Sequence, residues 1–268
     1  MTRLIDFKEQ KILESILDYK LSLFWEDVRL SHSQKRKFKL KLAKLKAGLP
    51  LDYVIGRVKI DHLDLKLNKN VLIPRPETIE WLKIISSKLS SEQTVLDVGC
   101  GSGLIGLYIA SRVNQVVLSD ISKKALRVAK QNAENNQISN TKFFQSDLLQ
   151  NYKLQKCLKL SPRLVILANL PYLPRLDKSI KSQNNVQHEP ALALYSGLNG
   201  LDLFVEFVNQ LSLSRLNFEL IVFELDPRNI AGAKIFLMEK FPDYNTNYNL
   251  NILKDSQNLE RCLYLEKV

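Results

Sequence analysis

The chain has 268 residues, 45% hydrophobic and 25% charged, which suits a globular protein with one sizeable α/β core and a smaller attached unit. Charged residues interrupt the opening stretch Met1 to Glu9, and no later apolar run reaches bilayer length; this argues against a secretory leader and a membrane span, and we expect a cytoplasmic protein. Cys100, Cys157 and Cys262 are odd in number and far apart, and His32, His62 and His188 are scattered, so neither a disulfide framework nor a metal site is expected.

The net charge of +11 is uneven: the first 60 residues hold 14 Lys and Arg against 7 Asp and Glu, a surplus of +7. Ile5, Ile12, Leu13, Ile16, Leu17, Leu21 and Phe24 recur at helical intervals, predicting an amphipathic helix across residues 4–25 within a small helical domain over residues 1–57. The basic run Lys35 to Lys46 carries Phe38, Leu42 and Leu45 at helical spacing, so its lysines form a solvated helix face. That face reads either as a lysine-rich surface or as a surface steering the chain to an acidic or RNA-rich partner such as the ribosome. Gly48-Leu49-Pro50 is a helix stop. Ile60, Leu63, Leu65 and Leu67 then alternate, with Asn68-Lys69-Asn70 as a turn, suggesting a hairpin linker over residues 58–72.

From Val95 the chain alternates strand and helix. Strands are expected at Val95 to Val98, Val116 to Ser119, Thr141 to Gln145, Leu164 to Ala168, Phe218 to Glu224, Asn249 to Leu253 and Cys262 to Glu266. Helices are expected at Leu104 to Arg112 and Lys123 to Asn135, and from Leu201 and Arg228. This rhythm predicts a parallel sheet covered on both faces, in a domain over residues 73–268, with its ligand site at the carboxyl ends of the strands.

Asp97-Val98-Gly99-Cys100-Gly101-Ser102-Gly103 ends the first of these strands. Glycines there let backbone N–H groups approach a ligand, and the following helix N-terminus favours an anionic group. Asp120 ends the next strand, followed by Ile121, where a carboxylate can accept from both hydroxyls of a ribose. Gly101 to Gly106 also matches the dinucleotide fingerprint, which by itself is a weak signal. Asp147 and Leu148 follow the third strand; Asp147 reads both as an acid beside an adenine amino group and as a helix or turn cap. After the fourth strand comes Asn169-Leu170-Pro171-Tyr172. A planar nitrogen has its lone pair delocalised, so a site that methylates it must hold the NH2 with acceptors: an Asn oxygen, a neighbouring backbone carbonyl and an aromatic face supply them within four residues.

The spacing of Asp97 before the glycines resembles motif I of S-adenosylmethionine-dependent methyltransferases. The whole chain resembles the HemK/PrmC family of protein-(glutamine-N5) methyltransferases. The resembling segments are Pro50 to Gly56, Leu72 to Trp81, Val95 to Gly106, Asn169 to Pro174, His188 to Leu194 and Gly197 to Gly200. The resemblance implies a Rossmann-like seven-stranded methyltransferase domain preceded by a helical bundle and a β-hairpin, with S-adenosylmethionine as cofactor. It also implies a class I peptide chain release factor as substrate, methylated on the glutamine of its Gly-Gly-Gln motif. The expected cofactor residues are Asp97, Gly99, Cys100, Gly101, Ser102, Gly103, Asp120, Ile121, Asp147, Leu148 and Asn169. Asn169, Leu170, Pro171 and Tyr172 are expected at the reaction, and the resemblance adds Arg75, Glu77 and Glu189 to the substrate pocket. Family members usually carry Pro where this chain has Leu170. Asn-Leu-Pro-Tyr also resembles the motif of ribosomal RNA adenine N6-dimethyltransferases, which makes an RNA or DNA adenine N6-methyltransferase the rival reading, although those enzymes append their extra helical domain after the catalytic core. Glu224, at a strand end, receives no role.

Overall fold

The structure is a computed structural model that describes residues 6–18, 21, 29–175, 186–242 and 244–268. Helix α1 (Phe7–Leu17) ends at Asp18, which takes a left-handed φ of 60°. It is shorter than the expected helix, whose Ile5 and Phe24 lie outside the described residues. Helix α2 (His32–Lys46) starts from a capping box in which Ser31 Oγ accepts from Gln34 N and Gln34 Oε1 accepts from Ser31 N; this satisfies two donors that a helix start leaves open. As expected, α2 is largely exposed, with Phe38, Leu42 and Leu45 half-buried. One lysine departs from the solvated face. Lys41 turns inward and donates to Ile55 O (2.9 Å) and Ser15 Oγ (3.1 Å), which ties α1 and α2 to the short helix α3 (Leu51–Ile55); burial pulls its ammonium below the usual lysine range.

The hairpin is present, but its turn lies elsewhere. Strands β1 (Arg57–Ile60) and β2 (Leu63–Lys66) pair with Ile60 opposite Leu63, so the chain reverses at Asp61-His62, with Asp61 at φ 49°. Asn68 to Asn70 instead form a separate turn beyond the hairpin, in which Asn68 Oδ1 accepts from Asn70 N. Alternation marked the strand residues correctly; an Asx turn and a hairpin turn use the same residue types, which misplaced the reversal.

The main sheet has the order β5-β4-β3-β6-β7-β9-β8. Strands β3 (Thr94–Val98), β4 (Gln115–Asp120), β5 (Thr141–Gln145), β6 (Leu164–Ala168) and β7 (Leu220–Glu224) are parallel. Strands β8 (Tyr248–Lys254) and β9 (Glu260–Lys267) form a hairpin whose β9 pairs antiparallel with β7, so the sheet is mixed rather than wholly parallel as expected. A short connection between consecutive strands forces that reversal, since a parallel return needs a crossover.

Alternate residues of the central strands serve opposite faces. On one face Leu96, Val98, Ile166 and Phe223 pack with Phe204 and Phe207 of the helix Asp202–Ser214, and with Leu154 and Leu158 of Tyr152–Lys159. On the other, Val95, Leu167 and Val222 pack with Trp81, Leu82 and Ile85 of α4 (Pro76–Ser86) and with α5 (Leu104–Ile109). The segment from Pro76 is thus a core helix: Pro76 occupies its first turn, where no N–H is needed.

The hairpin β1–β2 is fastened by helix α6 (Lys123–Asn135) and the residue after it. Asn132 Oδ1 accepts from Lys66 N and Asn136 Oδ1 from Asp64 N, both at 2.8 Å, while the two Nδ2 groups donate back to Lys66 O and Asp64 O. Four residues of helix rise about 6 Å and two of strand about 6.6 Å, so the two amides match the strand edge in step. No helix among the described residues is long and apolar enough to cross a membrane.

Helix α5 lies unusually close to the sheet. A Cβ on Gly106 would stand 2.8 Å from Val116 Cγ1 and 3.1 Å from Asp97 Oδ2, and β-branched Val116 has little rotamer freedom to yield. Gly106→Ala is therefore expected to lower stability by about 1–3 kcal/mol, read as a lower urea midpoint with unchanged slope; an unchanged midpoint would mean that α5 can lift away without cost.

Candidate active site

The parallel register assembles the site. Val98 pairs with Ser119 on one side and with Ala168 on the other, and Ala168 pairs with Phe223. One residue further along each strand, Gly99, Asp120, Asn169 and Glu224 therefore stand side by side at the carboxyl edge, where the strand order turns from β3–β4 to β6–β7. Asp120 is paired in turn with Gln145, which brings Ser146, Asp147 and Leu148 to the same edge.

These loops enclose a cavity of about 240 Å³. The glycine loop lines it through Gly99, Cys100, Gly101 and Ser102; Gly101 has φ 53°, and a side chain there would stand in open space, its nearest neighbour Gly99 O at 4.0 Å. Asp120 holds this loop: its Oδ2 accepts from Gly101 N (2.9 Å) and its Oδ1 from Ser122 N (2.8 Å). Each oxygen keeps a further lone pair for a hydroxyl. Burial raises the Asp120 carboxyl above its ordinary range, against the pull of those two N–H donors. Ser119 Oγ is buried at the cavity wall without a hydrogen-bond partner, and Ile121, Leu148 and Leu170 add apolar surface. A carboxylate for two hydroxyls, glycine N–H groups at a helix start, and apolar faces for a flat ring fit a nucleoside joined to an amino acid, as in S-adenosylmethionine.

Asp147 is exposed and lines the cavity, while the cap of helix Tyr152–Lys159 is Asn151, whose Oδ1 accepts from Leu154 N. Leu148 beside it is held at φ 49°, a costly conformation for leucine. Asp97 and Gly103 do not line the cavity. Asp97 lies beneath the loop, where its Oδ2 accepts from Gly106 N at 2.9 Å; burial pushes its carboxyl up to about 7, with the Gly106 N–H opposing and the Asp120 charge adding to the rise. It shapes the loop from below.

Asn169, Leu170 and Pro171 line the cavity beside the glycine loop. Leu170 is buried, and its Cδ2 would lie 3.1 Å from a Cβ on Gly99, so its side chain packs against the glycine loop. Tyr172 turns away from the cavity and donates to Glu224 Oε1 at 3.2 Å; burial, then the charge of Glu224, push its hydroxyl well above the usual tyrosine range. The segment Gly197 to Gly200 backs this loop. A Cβ on Gly200 would sit 2.1 Å from Tyr172 O, a separation that glycine alone permits.

Arg75 lines the cavity and donates from Nη2 to Glu189 Oε1 at 2.7 Å, while Glu189 Oε2 accepts from Ile73 N at 3.1 Å. Glu189 is buried and clamps two loops together rather than walling the cavity. Glu77 also stands apart from the cavity, in the first turn of α4, with its charge near Tyr172, Glu224 and Arg261.

Sequence reasoning missed Thr78 and Glu224. Glu224 is 1% exposed; its Oε2 accepts from Thr78 Oγ1 (2.7 Å) and Trp81 Nε1 (2.6 Å), and Asn169 Nδ2 donates to Thr78 Oγ1 at 3.1 Å. Burial pushes the Glu224 carboxyl up, against the three donors that pull it down. The available signal was an acidic residue closing a wholly apolar strand, level with Asn169.

Comparison with known proteins agrees with this geometry. A methyltransferase-domain family model matches residues 89–191. Release factor glutamine methyltransferase of Borreliella burgdorferi is 33% identical over 246 residues, covering 89% of this chain and 83% of its own. The Bacillus subtilis enzyme of the same name is 31% identical over 236 residues, 85% of this chain and 78% of its own. Among solved structures, the E. cuniculi Mtq2–Trm112 complex, responsible for methylating the eRF1 termination factor, aligns at a TM-score of 0.51 and 18% identity over 74% of this chain and 99% of that one. The hMettl16 catalytic domain, in complex with MAT2A 3'UTR hairpin 1, aligns at 0.57 and 16% over 76% of this chain and 74% of that one. At such identity these two show the shared Rossmann-like fold alone. The identity and coverage of the curated relatives, on a fold and an edge of the kind just described, establish that the chain belongs to the release factor glutamine methyltransferase family.

Proposed function

We propose that this protein transfers a methyl group from S-adenosylmethionine to the side-chain nitrogen of the glutamine in the Gly-Gly-Gln motif of class I peptide chain release factors. The observation that carries this reading is the register that sets Asn169 and Leu170 at one cavity with the glycine loop and Asp120, in a chain whose relatives bear that activity in their names. The stretch over residues 1–57 is read as the part that engages the release factor, 58–72 as a linker and 73–268 as the catalytic domain.

Gly99, Gly101 and Ser102 would hold the amino-acid part of the cofactor, Asp120 its ribose, and Asp147 with Leu148 its base. Bound there, S-adenosylmethionine supplies a methyl group on a sulfonium, a leaving group good enough to need no covalent intermediate on the protein. Asn169 Oδ1 and the Leu170 carbonyl accept hydrogen bonds from the two N–H groups of the glutamine amide, which localises the nitrogen lone pair and aims it; once the methyl carbon has passed from sulfur to that nitrogen, the surplus proton leaves the nitrogen for solvent. Proline in place of leucine at residue 170 would present the same carbonyl, so the departure from the usual motif leaves the acceptor intact. Rate enhancement then comes from positioning and fixed dipoles, without a strong base.

Two measurements test this. Asp120→Ala removes the ribose acceptor and the anchor of Gly101; calorimetry is expected to show S-adenosylmethionine bound at least about tenfold more weakly, a loss of ~1.4 kcal/mol or more, with circular dichroism unchanged. An unchanged dissociation constant would remove Asp120 from the cofactor site. Asn169→Ala is expected to reduce methyl transfer to a purified release factor by about 10²–10³-fold while cofactor affinity stays within a few fold. The paired control replaces the glutamine of Gly-Gly-Gln by alanine, which should abolish labelling by the unaltered enzyme. Label that persists on the altered factor, or label on RNA or DNA with none on the intact factor, would overturn the glutamine assignment in favour of adenine.

A further inference from the structure

The geometry points to Thr78 and Glu224 as positioning residues that decide which end of the Asn169 side-chain amide faces the substrate. The inference rests on the reading of Asn169 as the acceptor of the glutamine hydrogens. A terminal amide is nearly symmetric in shape, so sterics do not choose between its oxygen and its nitrogen. Hydrogen-bond direction does.

The direction starts at Glu224 Oε2, which receives the Trp81 indole N–H at 2.6 Å and the Thr78 hydroxyl at 2.7 Å. Indole nitrogen only donates, so Oε2 is held as an acceptor, and the single hydroxyl hydrogen of Thr78 is committed to it. Thr78 Oγ1 then has only lone pairs left for Asn169, which must present Nδ2 there, as it does at 3.1 Å. Oδ1 is left for the cavity wall that Asn169 and Thr78 both line. A flipped amide would set Oδ1 against Oγ1 with no hydrogen between them, and would turn NH2 toward a substrate that is itself NH2. Trp81, Thr78 and Glu224 are all buried, so water does not compete for these bonds. The acceptor at Oε2, rather than the negative charge, sets the direction. Glu224→Gln can supply the same acceptor to Trp81 and Thr78, with its amide nitrogen toward Tyr172.

The test uses the full chain with Thr78→Val, which keeps the shape and removes the hydroxyl, Thr78→Ser, which returns it, and Glu224→Gln. A first readout needs no substrate: the Asn169 side-chain NH2 signals in ¹⁵N-labelled protein, assigned by their absence in Asn169→Ala. They are expected to shift in Thr78→Val and to return near their original positions in Thr78→Ser and Glu224→Gln. In methyl transfer to a release factor, Thr78→Val is expected to lower kcat by about 10- to 100-fold with KM and cofactor affinity within about twofold. Thr78→Ser should recover most of that loss. Made in an Asn169→Ala background, Thr78→Val should cost less than about twofold, because the residue it positions is gone. Unmoved Asn169 signals in Thr78→Val, or the same kcat loss with and without Asn169, would overturn the inference. Signals that move as expected in an enzyme that labels no release factor would uphold the positioning and overturn the substrate reading instead.

Discussion

The parallel register of β3, β4, β6 and β7 is the constraint from which the site follows. Because side chains alternate with a period of two, slipping any one strand by a single residue would exchange its two faces and move its last residue by about 3.3 Å along the edge. The register is held by burial on both faces. Every residue of β3, β6 and β7 is buried, so a slip would have to repack both hydrophobic layers. The glycine loop, Asp120, Asn169 and Glu224 inherit their positions from that packing, which is why residues far apart in sequence meet without a loop having to search for the arrangement.

Three carboxylates close the strands β3, β4 and β7 or nearly so, and each is compensated differently. Taking a carboxylate out of water costs several kcal/mol unless donors replace the lost hydration, by about 1.5–3 kcal/mol for each hydrogen bond to a charged group. Asp97 has one backbone donor and one oxygen without a partner, and its carboxyl is pushed toward the neutral form, to about 7. Asp120 has two backbone donors and faces the cavity, where a ligand can complete its bonding. Glu224 has three side-chain donors, Thr78 and Trp81 on α4 and Tyr172 after β6. It acts as a junction between the helix that follows the hairpin and the loop that carries Asn169.

Much of this was legible in the sequence, and the limits are physical. Helix Lys123–Asn135 and the strands Thr141–Gln145 and Leu164–Ala168 stand at the expected bounds, because periodicity and flanking turn residues agreed there. The seven-stranded sheet and the family were also legible. The hairpin turn was misplaced since Asp61-His62 carries a weaker turn signature than Asn68-Lys69-Asn70, and the antiparallel edge was missed since apolar runs do not encode strand direction. Cavity-facing roles were readable for Gly99, Gly101, Asp120 and Asn169, which follow or close strands. The clamping role of Glu189 was not readable, since its buried pairing with Arg75 and Ile73 N depends on contacts more than 110 positions away in sequence. Nor were the roles of Thr78 and Glu224 readable, since their hydrogen bond exists only once α4 is laid against the end of β7.

Glu189, which the resemblance put in the substrate pocket, and Glu224, which received no role, each fasten segments that line the cavity. Glu189 joins the segment Ile73 to Arg75 to the loop bearing Pro190 and Ala193, so the rim of the cavity is one unit built from two stretches of chain. Glu224 joins α4, which begins directly after Arg75, to the wall bearing Asn169. The run from Ile73 to Thr78 therefore carries both fastenings within six residues, one to the rim and one to the wall. Its two prolines stiffen that run. Pro74 and Pro76 restrict the backbone between the attachment points, so the distance from rim to wall is set with little conformational freedom left to lose on binding. A flexible connection would hold the same side chains near one another on average, but it would leave the acceptors for a planar nitrogen to be ordered by the substrate itself, and that ordering would be subtracted from the rate.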